Sequence, residues 1–392
     1  MGLIARLLTA LAVLGLAGAC APRPAPPPPT PEPGTFLGAS GDTLSAEDVA
    51  ARVAEADVVL LGEGHTSRCD HAAQVAVIRA MARAGLEPSI GLEMVPLDRA
   101  DTLSRFNRAE LTVDELPEAL DWQDAWGYDF ELYEPVFQSA AELDLTVHPL
   151  NVSRRVAGAV GDGTEADLPD EQRAMLPENI IPPTGEQREA LREPFLQHGK
   201  EEGDEEGFQR FIRVQSLWDT VMAASALDVL REQGPPVVVL VGAGHVESGW
   251  GIEHRLGELA PDVRVASLLP WRGDGPLEGA DLYVFCPASH RSSLGMTLKE
   301  EGGAVLVEEV RQGTRAEEAG LRRGDRVARA GGEPVEGLSS LHKAGFEAMQ
   351  SGEPLRMTIE RAGERLEISI PLKHEMGPGG GEGEPEADSG DG

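Results

Sequence analysis

The stretch VVLLGEGHTSRCDH, Val58 to His71, breaks off an apolar run in a carboxylate and imidazoles set between glycines. Glu63 and His65 stand two residues apart, so an extended backbone turns both side chains the same way. Gly62 and Gly64 permit a sharp exit and leave the rim open to a ligand. Similar endings recur. Glu93 interrupts the apolar run IGLEM, His148 and Asn151 close LTVHPLN, and His245 follows VVVLVGAG. Glu63, His65, Glu93 and His245 together are a ligand set for a borderline or hard divalent metal, or a base with its orienting partner. Haem iron would accept His or Tyr. Each residue also has a plainer reading. A glutamate after a strand commonly answers the positive end of the next helix, His71 opens a helix where a solvated residue serves equally, and His148 at a strand end can simply satisfy backbone.

The span DWQDAWGYDFELYEPVF gathers Trp122, Trp126, Tyr128, Phe130 and Tyr133, although aromatic residues make up only 4% of the chain. Such a cluster suits a flat apolar ligand, with Tyr128 or Tyr133 offering oxygen to iron, or it caps a hydrophobic core. In SLWDTVMA, helical spacing puts Trp218, Asp219 and Met222 on one side of a long helix, facing the rim or the sheet.

The elements that must hold these residues are legible as short apolar runs bounded by turn residues. The segments 57–62, 88–94, 145–151, 236–244 and 263–270 predict strands buried on both faces. HAAQVAVIRAMARAG and FQRFIRVQSLWDTVMAASALDVLREQG carry helical periodicity between them. Strands alternating with helices argue a mostly parallel sheet flanked by helices, with sites at the carboxyl ends of its strands. Residues 161–207 are rich in Pro, Gly and charge and read as a helical insertion with a loop, either a lid or a solvated connection. From about Leu294 the texture changes to short strands, and the tail GPGGGEGEPEADSGDG is of disordered composition.

The ends are informative. Arg6 and the apolar LLTALAVLGLAGA are too short for a mature membrane span and read as an export signal, with Ala17, Gly18 and Ala19 preceding Cys20. That pattern resembles a lipobox, which implies lipidation at Cys20 and anchoring in a membrane. Ala21 after the cysteine, by the same resemblance to bacterial lipoproteins, favours the outer membrane, facing the periplasm. APRPAPPPPTPEPG follows as an extended tether. A net charge of -33 excludes nucleic acid as a partner, because phosphates would be repelled. Of the other two cysteines, Cys69 and Cys286, an oxidising compartment permits a disulfide; a ligand role for Cys69 and two unpaired thiols are the alternatives.

LLGEGHTSRCDH, GLEM, WGYDFELYEPVF, PLNVSRR, QSLWDTVMA and VVVLVGAGHVESGWGIEHRL follow one another as in the ChaN-type haem-binding lipoproteins, within the superfamily that includes TIKI-type proteins and, more distantly, erythromycin esterases. The resemblance spans about residues 40–290 and implies an α/β body that binds haem and is linked to iron uptake. It maps the superfamily motif onto Gly62 to His65 and its acidic and histidine positions onto Glu63, Glu93 and His245, which in TIKI-like members hold a catalytic metal. It implies a Tyr and a His as haem ligands, for which Tyr128, Tyr133 and His71 are the candidates. The segment SSLGMTL with VEEVRQGTRAEEAGLRRGDRVARAGGEPV resembles a small β-rich PDZ domain, with Leu294, Gly295, Met296 and Thr297 in its carboxylate-binding loop. Such domains bind a peptide or protein C-terminus by adding it to a sheet edge.

The expected organisation is a signal peptide over 1–20, a tether over 21–38, a ChaN-like domain over 39–290, a PDZ domain over 291–374 and a tail over 375–392. The leading expectation is a membrane-anchored haem-binding protein of the iron-uptake machinery, with a homodimer left open. The alternatives are an exported metal-dependent hydrolase using the Glu63, His65, Glu93 and His245 rim, with a divalent metal as cofactor, and a non-catalytic PDZ adaptor of the envelope.

Overall fold

The computed structural model describes residues 31–372 apart from 198–202, 274, 293 and 302. The expected signal peptide, Cys20, most of the tether and the acidic tail lie outside the described residues. Among those described, no helix is long and apolar enough to cross a membrane.

The larger domain is built on an eight-stranded sheet. Its strands are β1 (Thr35–Gly38), β2 (Thr43–Leu44), β3 (Val58–Glu63), β4 (Ser89–Pro96), β5 (Val147–Asn151), β6 (Val237–Gly242), β7 (Val265–Trp271) and β8 (Leu282–Phe285), in the spatial order β2-β1-β8-β7-β3-β6-β4-β5. All neighbours from β8 to β5 run parallel, while β1 and β2 form an antiparallel edge. The five strands read from the apolar runs are all present. Three strands are added, β2, β8 and β1, the last of which the Pro-rich composition had assigned to the tether. Thr35 to Gly38 pair with Phe285 to Leu282, so this short segment closes the free edge of β8.

Both faces of the sheet are covered, which is why its strands are continuously apolar. Val58 to Leu61 and Val237 to Val241 are fully buried. On one face Val59, Leu61, Ile90 and Leu92 pack with Val77, Ile78 and Met81 of the helix Arg68–Arg83 and Val136 and Phe137 of the helix Glu134–Leu143. On the other, Val58, Leu60, Val239 and Val241 meet Met222, Ala223 and Ala226 of the 29-residue helix Glu205–Gln233 and Ile252 and Leu256 of the helix Ile252–Leu259. Each of the larger apolar side chains among these contributes about 1.5–3 kcal/mol when fully buried. The carboxyl ends of β3, β6 and β4 lie side by side, with Glu63 in register with Gly242 and Leu92 with Leu240.

The second domain adds β9 (Ser289–Arg291), β10 (Met296–Glu301), β11 (Ala304–Val310), β12 (Arg326–Ala330), β13 (Glu333–Pro334), β14 (Leu355–Arg361) and β15 (Glu364–Ile370), all antiparallel, with a helix Leu338–Ser351. The sheet order is β15-β14-β12-β11-β10-β9, with β13 paired to β12. The LRRGD turn has a physical cause: buried Asp325 accepts from the Arg322 amide and takes Arg361 in a two-pronged ion pair. Gly295 has a positive φ of 93°, and a Cβ there would collide with Thr314.

Cys69 and Cys286 form a disulfide across 217 residues, tying the start of the helix Arg68–Arg83 to the end of β8. Cross-linking so large a loop constrains the unfolded chain, an effect of about 3–5 kcal/mol. Urea unfolding of the Cys69→Ser/Cys286→Ser double variant should therefore show a stability loss of about 3 kcal/mol or more; unchanged stability would mean the cross-link closes no costly loop.

Candidate functional site

Glu63 ends β3 with its side chain buried, and the chain surrounds it with donors. Tyr133 donates its hydroxyl to Oε1 at 2.5 Å, and His65 Nδ1 lies 3.0 Å from the same oxygen. Gln74 donates to Oε2 at 3.0 Å, while His71 Nε2 stands 3.1 Å from Oε2, off the line of a well-directed hydrogen bond. His71 and Gln74 come from successive turns of the helix Arg68–Arg83, whose start Ser67 caps by accepting from the Asp70 amide. Asp70 accepts from the Gly64 amide and is paired with Arg272, which fixes the turn carrying His65.

A second chain of pairs lies beside the first. Glu93, in β4, accepts from the Gly242 amide at 2.6 Å and faces His245 Nε2 at 3.4 Å. His245 Nδ1 is 2.6 Å from Asp219, and Asp219 accepts from Gln187 at 3.0 Å beside the fully buried Arg255 at 3.4 Å. Gly242 joins the two chains. A Cβ there would come within 2.8 Å of His65 Cε1 and 3.5 Å of Glu93, so the strand end has to be glycine for His65 and Glu93 to approach each other.

The electrostatics follow from this pairing. Burial pushes the Glu63 carboxyl up, but the imidazoles of His71 and His65 outweigh it and hold it well below the ordinary carboxylate range. Burial likewise opposes ionisation of Glu93, and His245, His65 and the Gly242 amide bring it down. Burial would lower His245, yet Asp219 and Glu93 drive it up to about 10. His65 is also raised, burial being overcome by Glu63 and Glu93. The floor of the site is thus a set of mutually compensating ions.

Above that floor opens a cleft of about 1080 Å³. Trp126 and Tyr128 flank His65, with ring centroids 4.8 and 5.2 Å away, and Trp218 and Trp250 also line the cleft. Arg99, Arg154 and Arg155 add positive charge. Tyr128 is 36% exposed, and its hydroxyl makes no hydrogen bond among the described residues.

The structure brings Glu63, His65, Glu93 and His245 to one rim, with Glu63 against His65 and Glu93 between the two imidazoles. Of the three haem-ligand candidates, only Tyr128 lines the cleft. Tyr133 and His71 lie behind Glu63, buried and facing it. Among the described residues, the donor cluster with the spacing of a metal site is Cys69, Asp70 and Cys286, whose sulfurs are joined to each other. His148 turns away to Thr146 at 3.0 Å. Sequence reasoning placed Asp219 on the side facing the rim or the sheet without giving it a partner, and it missed Gln187 and Arg255. The signal for Asp219 was an acid interrupting the apolar face of a long helix, and the reading stopped at its orientation. Gln187 lies in the helix Gly185–Ala190 of the insertion read as a lid or solvated connection, and Ala190, Leu191 and Pro194 of that insertion form a wall of the cleft.

His245 is held well above its ordinary value of about 6.5, so its pairing adds stability that is complete below that pH and lost as pH rises through about 10. Thermal unfolding between pH 7 and 10.5 should show Tm falling, and Asp219→Asn should lessen the fall by removing one of the two carboxylates; equal slopes in both proteins would contradict this. Glu63→Gln, which breaks a buried ion cluster, should lower unfolding stability by about 3 kcal/mol.

A model of the family described as "Haem-binding uptake, Tiki superfamily, ChaN" matches residues 49–256, and a PDZ model matches residues 292–372. No curated protein matches the chain. Among solved structures, ChaN of Campylobacter jejuni, described as binding haem cofacially, is 22% identical over 64% of this chain and 95% of its own, with a TM-score of 0.53. The PDZ domain of EpsC from Vibrio cholerae is 19% identical over 20% of this chain and 95% of its own, with a TM-score of 0.17. The matched models, the helix-flanked sheet and the antiparallel second sheet agree: the chain belongs to the ChaN family of the Tiki superfamily and carries a PDZ domain after it.

Proposed function

We propose that the protein is a haem-binding protein of the cell envelope, linked to iron or haem uptake, whose cleft takes haem as cargo and whose PDZ domain docks the C-terminus of a partner. The observation that carries this reading is the solvent-facing phenol of Tyr128 beside His65, in a wide aromatic cleft whose polar floor is already internally paired. The cleft has the size of sites for larger small molecules, about 300–1,000 Å³. The donor set fits ferric haem: Tyr128 supplies an oxygen ligand, His65 an imidazole edge, Trp126 and Trp218 flat faces, and Arg154 and Arg155 partners for carboxylates. Bound there, haem would bring its own iron chemistry, while these residues bind and orient it. The Cys69–Cys286 disulfide supports an oxidising compartment, in keeping with export and a lipid anchor at Cys20 in the outer membrane.

Metal-dependent hydrolysis is a second reading, favoured by one observation. Both His65 and His245 are backed at Nδ1 by a carboxylate, Glu63 and Asp219, on either side of Glu93. Such backing orients an imidazole for proton transfer or for a divalent ion. It is the weaker reading because Glu63 already has four polar neighbours and His245 is held protonated at neutral pH.

Haemin titration followed by Soret absorbance should give a saturable shift. Tyr128→Phe should weaken it at least about tenfold, or 1.4 kcal/mol, whereas Tyr133→Phe should leave it intact. An absent shift, with a stoichiometric divalent metal found by elemental analysis, would replace the haem reading with the hydrolase.

A further inference from the structure

A PDZ domain binds its ligand as an added strand at one sheet edge, with the ligand's carboxylate on the amides of the adjacent loop. In this chain that edge is β10, and it is already paired. The connector strand β9 lies antiparallel on it, with Arg291 opposite Thr297, His290 opposite Leu298 and Ser289 opposite Lys299. The pairing continues beyond both ends, since the Ser292 amide donates to the Met296 carbonyl at 2.8 Å and the Glu300 amide to the Ala288 carbonyl at 2.6 Å.

The carboxylate loop is engaged as well. The Leu294 amide donates to Ser292 Oγ at 3.1 Å, and the Gly295 amide to the Ser292 carbonyl at 3.0 Å. The two oxygens of Ser292 thus sit on the amides that a terminal carboxylate would use. Across the groove, the ring of His290 meets that of His342, on the helix Leu338–Ser351, at 4.1 Å.

We infer that residues 288–292 are an intramolecular ligand of the PDZ groove, which a partner's C-terminus must displace in order to bind. This rests on reading the groove as a peptide site. The self-ligand also leaves part of the groove uncovered. The helix starts beside Glu300, whose carboxylate accepts from the Leu338 amide, and reaches His342 level with His290. One further helical turn advances about 5.4 Å, close to the two strand residues from His290 to Ser292. Phe346 therefore falls level with Ser292, and it and Met349 remain 47% and 59% exposed. A serine fills little of that space. The partner that fits is an extended peptide with a free carboxylate and a large apolar final residue.

The test uses the full-length protein in three forms: wild type and two variants. His290→Pro removes the amide and the ring that hold β9, while Ser289→Cys/Lys299→Cys locks the observed register through a second disulfide. The probe is a labelled hexapeptide Pro-Ala-Ser-His-Arg-Leu with a free carboxylate. A groove closed nine times in ten lowers apparent affinity about tenfold, so His290→Pro should bind the probe about tenfold more tightly than wild type. The locked protein should show no detectable binding. Hydrogen exchange at the Glu300 amide should quicken about tenfold in His290→Pro, by the same population argument, and stay slow in the locked form. Equal exchange in wild type and His290→Pro, together with failure of the engineered disulfide to form, would overturn the inference. Quickened exchange with no probe binding in any form would uphold the self-pairing and instead remove the peptide-docking reading.

Discussion

A carboxylate taken out of water at the end of a central strand is the constraint around which the larger domain is organised. Glu63 is 2% exposed, and an unpartnered charge in such a place would not remain ionised. Its polar partners come from separate pieces of chain: His65 from the turn after β3, His71 and Gln74 from the following helix, and Tyr133 from the aromatic segment. Satisfying one residue therefore sets the turn, the phase of a helix and the seat of a loop. The second network repeats the device, with Asp219 and His245 joining the long helix to the end of β6.

These networks divide the site into two parts with different chemistry. The floor is ionic and internally paired, Glu63 with its ring of polar neighbours and Glu93 and Asp219 with His245. The walls are aromatic and cationic, and Tyr128 and the arginines face the open space. On the proposed haem reading, recognition falls mainly to the wall and to the edge of His65, while Glu63, Glu93, Asp219 and His245 hold those groups in place.

The strands and the convergence at their ends were legible because both depend on local pattern. Continuous apolar runs mark strands covered on two faces, and residues two apart in an extended chain share a side, so Glu63 and His65 could be paired on paper. Asp219 could be oriented by helical phase, but its partner His245 lies 26 residues away, and no spacing rule reports that contact. Gln187 and Arg255 were hidden differently. A polar residue in a Pro-rich, acidic insertion looks solvated until something shows that the insertion is folded back against a buried arginine. Strands β1, β2 and β9 escaped notice because they are short and take their conformation from the edge they pair with, and the four-residue β8 escaped with them.

The disulfide has a bearing on when the molecule becomes complete. Cys286 precedes Ser289 by three residues, and its bond to Cys69 anchors the connector that becomes β9 to the helix bearing His71. Reduced, as in a cytoplasm rich in thiols, the two ends of this arrangement are held by non-covalent contacts alone, among them Arg272, which pairs with Asp70 and donates to the Cys286 carbonyl. Oxidation would fasten, in a single covalent step, the root of the PDZ domain and the helix behind Glu63. A chain in a reducing compartment is to that extent an unfinished one, and on the proposed reading of an exported protein, oxidation after export would become part of its assembly.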